Sequence, residues 1–114
     1  MHIIDKNILL NNSGNDEKIA NELLDMGLTR INESLTEMKQ ALDDDDWNAL
    51  ARSIHRLRPI INFCGITIIN EELLNIEIET KENKKINHAD NEIERVFEIL
   101  ESAKEQIIQL LNTI

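Results

Sequence analysis

Residues 50–65 read LARSIHRLRPIINFCG. Drawn as a helix at about 100° per residue, with Leu50 at zero, the stretch sorts itself into two faces. Trp47, Ile54, Leu57, Ile61 and Cys64 fall within about 60° of Leu50 and form one apolar stripe. His55 falls at about 140°, among Asn48, Ala51, Arg58, Pro59 and Asn62. A segment with one apolar stripe and one polar ridge is a surface helix packed on a core. The stripe is therefore expected to be buried and the imidazole to keep a ring nitrogen in solvent. Pro59 cannot donate a hydrogen bond to the carbonyl of His55, so a loosened or kinked turn is expected there.

Moving outward, the run DDDD at 43–46 precedes this helix. An Asp cap with acidic residues in the first turn explains the run better than a carboxylate metal site. The helix is expected over about 45–64, with Gly65 as its C-terminal stop. Upstream, Ile19, Leu23, Met26, Ile31, Leu35, Met38 and Leu42 recur at helical spacing over 15–42, with Asn15 as N-cap and Asp16 and Glu17 at the positive end of the helix dipole. Downstream, Ile69, Leu73, Ile76 and Thr80 mark a third helix over 67–82. Asn87 or Asp90 caps a fourth over 89–112, in which Ile93, Val96, Leu100, Ala103, Ile107, Leu110 and Ile114 alternate three and four apart. Residues 1–14 read as an irregular lead-in in which NILL forms at most a helical turn. The expected fold is all-α: an antiparallel four-helix bundle over 15–114 behind that lead-in.

Composition supports this class. The 114 residues hold only 3 Gly and 1 Pro, 41% are hydrophobic and 30% charged. That length supports one core without staples. No apolar run reaches the 18 or so residues of a membrane span, and the N-terminus lacks the pattern of a secretion signal. One cysteine excludes an intrachain disulfide and fits a reducing, cytoplasmic setting. The net charge of −10 argues against nucleic acid and anionic membrane surfaces as partners.

The ridge carries the chemistry. An exposed imidazole with a near-neutral pKa offers a neutral, nucleophilic nitrogen. One turn on, the Arg58 guanidinium is suited to charge-assisted bonds with phosphate oxygens. Ala51 leaves the approach open, and Pro59 adds rigid apolar surface. The segment looks like a phosphorylatable histidine on a docking surface; a surface histidine without a role would occupy the same wheel position, and the adjoining Arg58 and Pro59 weaken that alternative without overturning it by spacing alone.

These residues resemble the signature of histidine-containing phosphotransfer (HPt) domains of two-component phosphorelays. That family shows Ala-His-x-Leu-Lys-Gly with a glycine ten residues after the histidine. His55, Leu57, Arg58 and Gly65 occupy the matching places, with Ile66 next. The Pro-containing form HRLRPIINFCGI is similar to a variant common in Bacteroidetes-type bacteria. ALDDDDWNALARSIH fits the upstream approach, and LLNIEIE fits the downstream acidic helix with Glu77 at its acidic position. Arg58 stands where lysine is usual, Pro59 where glycine is, and Ile54 where alanine is. The resemblance spans about residues 15–112. It implies that His55 carries the phosphoryl group, that Arg58 is the surface cation beside it and that Gly65 is structural. Docking is expected on the ridge around the histidine, at Asn48, Ala51, Arg52, Pro59 and Asn62. The implied partners are receiver domains of response regulators or hybrid histidine kinases, which supply the Mg²⁺. The chain itself is expected to be a cytoplasmic monomer and a phosphocarrier rather than an enzyme, with no cofactor or metal of its own.

The phosphoacceptor helix pair of sensor kinases, His-Glu-Leu-Arg-Thr-Pro, is a near rival. It carries an acidic residue directly after its histidine, where this chain has Arg56. No glycine-rich nucleotide-binding segment accompanies the motif here, so self-labelling from ATP is not expected. His2, His55 and His88 lie in separate segments without metal-ligand spacing. A structural or adaptor bundle without phosphotransfer is the alternative of a different class.

Overall fold

The computed structural model describes residues 2–82 and 91–111. Five helices run through them: α1 (Lys6–Asn12), α2 (Glu17–Asp43), α3 (Trp47–Phe63), α4 (Asn70–Lys81) and α5 (Asn91–Leu111). No strand occurs among the described residues. The four long helices form an elongated all-α bundle of 43 × 21 × 21 Å, packed in the cyclic order α2, α3, α4, α5. Their bounds lie within a few residues of those expected from the sequence. The fifth helix corrects it.

The lead-in is not irregular. Asp5 Oδ1 accepts from the backbone N–H groups of Asn7 and Ile8 and starts α1. Ile3, Ile4 and Leu9 are buried in the common core, and α1 packs on α2 and α3. Gln106 Oε1 accepts from the Ile3 N–H at 2.9 Å, tying the lead-in to α5. A seven-residue helix cannot stand alone, so this one is held by the surface it covers.

Capping sets the corners. α2 starts at Asp16, whose Oδ1 accepts from Lys18 and Ile19, and not at Asn15, which sits at φ +59° in the preceding turn. The acidic run both ends one helix and starts the next. Asp45, at φ +51°, closes α2 with the Asp46 N–H on the Ala41 carbonyl and its own on that of Leu42. That double bond is a Schellman closure. Asp46 then caps α3 through the Ala49 N–H at 3.1 Å. The capping reading of these aspartates holds. α3 ends likewise at Gly65, φ +85°, with Ile66 N–H on Ile61 O. The Gly65 carbonyl accepts the Asp5 N–H at 2.9 Å, and a Cβ at this glycine would run into the Asp5 carbonyl. The stop of α3 is thus also the seat of the lead-in.

The α3 stripe packs as expected: Leu50, Ile54, Leu57, Ile61 and Cys64 are fully buried, while Trp47 is half-buried. So does α4, with Ile69, Leu73, Ile76 and Thr80 inside, and α5, with Ile93, Val96, Leu100, Ala103 and Ile107 inside. The first half of α2 departs from expectation. Ile19 and Met26 are exposed and Leu23 half-buried, while Ala20, Leu24 and Gly27 face inward. The helices come close at Gly27, where a Cβ would lie 2.7 Å from Cys64 Sγ, so that inward position must be a glycine. Asn87, Asp90 and Ile114 lie outside the described residues.

Candidate functional site

His55 stands on the ridge of α3 with 75% of its side chain exposed. The fully buried Ile54 and Leu57 on either side of it fix the helix rotation that presents it. Ile54, directly before the histidine, faces the core. α3 continues through Pro59 to Phe63.

The imidazole has an unexpected neighbour. Glu77 of α4 lies beneath it, with only 5% of its side chain exposed. Three basic groups surround that carboxylate. Lys81 Nζ is 3.0 Å from Oε2, Arg58 Nη1 is 3.4 Å from Oε1, and His55 Nδ1 is 3.7 Å from Oε2. Burial alone would raise the Glu77 carboxyl. The hydrogen bond from Lys81 and the charges of Lys81, Arg58 and His55 outweigh it and hold the group below the ordinary carboxylate value. An ionised carboxylate facing Nδ1 favours the proton on Nδ1, which leaves the lone pair on Nε2.

Arg58 differs from its expected place on the surface. Only 28% of its side chain is exposed, its head group turns to Glu77, and its Nε is buried with no hydrogen-bond partner among the described residues. Lys81 is 65% exposed. A shallow hollow beside His55 is lined by Ala51, Arg52, Arg56 and Lys81. Arg56 is held by an ion pair to Glu37 of α2. The hollow is cationic on a chain of net charge −10.

Of the other ridge residues, Asn48, Arg52 and Pro59 are exposed, and Ala51 and Asn62 are half-buried. The Asn62 amide oxygen is buried without a hydrogen-bond partner among the described residues. Among those residues no group of three His, Cys, Asp or Glu side chains is placed to hold a metal ion. Glu77 and Lys81 were not among the site residues expected from the sequence. The available signal was Glu77 lying within the inward stripe of Leu73, Ile76 and Thr80, with a lysine one turn on.

The crystal structure of the HPt domain from an Hpt sensor hybrid histidine kinase of Shewanella superposes with a TM-score of 0.87. The match covers 99% of this chain and 97% of that one, at 21% sequence identity. The fold is that of an HPt domain. The shared fold takes in the lead-in as well as the bundle, since the coverage extends over nearly the whole chain. No family model and no curated protein matches the chain. No described helix is long and apolar enough to cross a membrane.

Proposed function

We propose that this protein is a phosphorelay intermediate: His55 accepts a phosphoryl group from a receiver-domain aspartyl phosphate and passes it to another receiver. One observation carries the reading. An imidazole with 75% of its side chain exposed has Nδ1 facing a buried carboxylate, with a cationic hollow beside it on an otherwise acidic chain.

In the forward step the Nε2 lone pair attacks phosphorus in line. The Nε2–P bond forms as the P–O bond to the partner's aspartate breaks, and the aspartate leaves as a carboxylate. The proton stays on Nδ1, so the phosphorylated ring carries positive charge, which Glu77 offsets. Docking aligns the reacting groups, and the partner's Mg²⁺ stabilises the equatorial oxygens. The reverse step delivers the group to a second receiver. On this reading the chain is a cytoplasmic phosphocarrier, not an autokinase. Asn48, Ala51, Arg52, Pro59 and Asn62 form the contact ridge, with an interface below roughly 1,200 Å² because each partner must be released.

The test is label uptake from a phosphorylated receiver, scored as acid-labile phosphohistidine. The parent should take up label and His55→Gln should not, while still folding and docking. An adaptor without phosphotransfer would bind a receiver and remain unlabelled. Self-labelling of the parent from ATP alone would also contradict the proposal.

A further inference from the structure

Two cations touch Glu77, and they are not equivalent. Arg58 reaches Oε1 from a half-buried position. Lys81 reaches Oε2, the same oxygen that His55 Nδ1 faces, and it is largely exposed. Lys81 also lines the hollow beside His55, and Arg58 does not. Removing Arg58 from Glu77 would leave a buried carboxylate short of its counter-charge, which is costly. Lys81 is the more exposed of the two cations, so its head group can leave Glu77 for solvent or a second anion without disturbing packed neighbours. Its ammonium is a point charge on a flexible stem and can turn from one anion to another.

We infer that Lys81 is the cation that meets the phosphoryl group on His55, while Arg58 stays with Glu77 as its fixed counter-ion. The inference rests on the phosphocarrier reading above and refines it. In the unphosphorylated protein Lys81 is parked on Glu77 Oε2. Once a dianionic phosphoryl group stands on Nε2, Lys81 swings to its oxygens or bridges both anions. Glu77 keeps Arg58 and gains the charged imidazolium as a closer partner. Arg56 also lines the hollow, but its ion pair is to Glu37 of α2 and not to the carboxylate that His55 faces. Arg52 also lines the hollow and is the competing candidate.

The experiment uses the full chain with phosphoramidate as donor, so that no cognate partner is needed. The phosphorus–nitrogen bond of the donor breaks, ammonia leaves and the Nε2–P bond forms. Phosphorus NMR then follows the second ionisation of the phosphoryl group against pH in the parent, Lys81→Gln, Lys81→Arg and Arg52→Gln. Loss of a nearby positive charge should raise that pKa by about half a unit in Lys81→Gln, with Lys81→Arg restoring the parent value. Transfer of label from a phosphorylated receiver should fall about tenfold in Lys81→Gln and recover in Lys81→Arg. A merely structural lysine would leave the titration unmoved. Label on His55 with an unchanged titration in Lys81→Gln, or a shift in Arg52→Gln alone, overturns the assignment and spares the phosphocarrier reading. If neither donor labels His55, that reading falls, and this assignment with it.

Discussion

Glu77 is the residue on which stability and chemistry meet. It is buried, yet held ionised by Lys81, Arg58 and His55. A carboxyl whose folded-state pKa is depressed contributes stability that is fully present above its ordinary value of about 4.3 and is lost as pH falls through the folded value. Glu77→Gln should therefore melt below the parent at pH 7, and that gap should shrink as pH falls below about 4. Thermal unfolding followed by circular dichroism across pH 3–7 measures it. An equal gap at every pH would mean that the carboxylate's charge is irrelevant. Arg58→Ala follows from the same geometry. Because it strips a buried carboxylate of a partner, it should cost about 1–3 kcal/mol, well above a surface substitution. Lys81→Ala takes the shorter bond, 3.0 Å, from the same buried carboxylate and should likewise cost about 1–3 kcal/mol. Urea unfolding of the two variants measures these losses, and no loss in either would mean that Glu77 does not need its cations. At this scale the sequence was only partly legible. A wheel placed His55 outside the core because one helix alone decides that. It could not place Glu77 beneath the ring, since that contact spans two helices whose relative rotation no single periodicity records.

Among elements, the seam between α2 and α3 is the most exacting contact. Gly27 meets the Cys64 thiol, which donates to the Leu23 carbonyl at 3.1 Å and whose pKa burial raises to about 11. Gly27→Ala places a methyl into occupied space and should cost about 1–3 kcal/mol by overpacking. Cys64→Ala removes the obstructing sulfur, so the double variant should lose less than the two single losses combined. Additive losses in denaturant unfolding would mean the two side chains do not meet. This seam also explains the one misread phase. Ile19, Leu23 and Met26 satisfy an apolar pattern on α2, but a pattern built on large side chains passes over a glycine that faces inward because the helices come close. On α3, α4 and α5 the expected stripe positions are buried, except the half-buried Trp47 and Leu110 and Ile114, which lies outside the described residues. The corners were legible for a related reason. Asp and Gly signal caps through local backbone chemistry, although only the structure shows Asp45 closing one helix while Asp46 opens the next.

At the scale of the whole molecule, the bundle and the lead-in make one core. The lead-in was hard to read because Ile3, Ile4 and Leu9 lie in a segment too short to display a period, and its anchors, Gly65 and Gln106, are remote in sequence. Burial of these three side chains is worth on the order of 5 kcal/mol. Deleting residues 1–15 should lower the unfolding free energy by several kcal/mol in urea, and an unchanged midpoint would show that α1 is dispensable. The bundle's function, in this account, is to hold one imidazole at a surface where successive partners can reach it. That claim is tested most directly by a label chase. The chain is loaded with phosphoryl groups from one phosphorylated receiver, separated from it, and mixed with a second, unlabelled receiver in the presence of Mg²⁺. The account predicts that label sits on His55 after the first step and appears on the aspartate of the second receiver as it leaves the chain, with His55→Gln blocking both steps. Label that never reaches His55, or that passes between receivers equally well with His55→Gln, would contradict it.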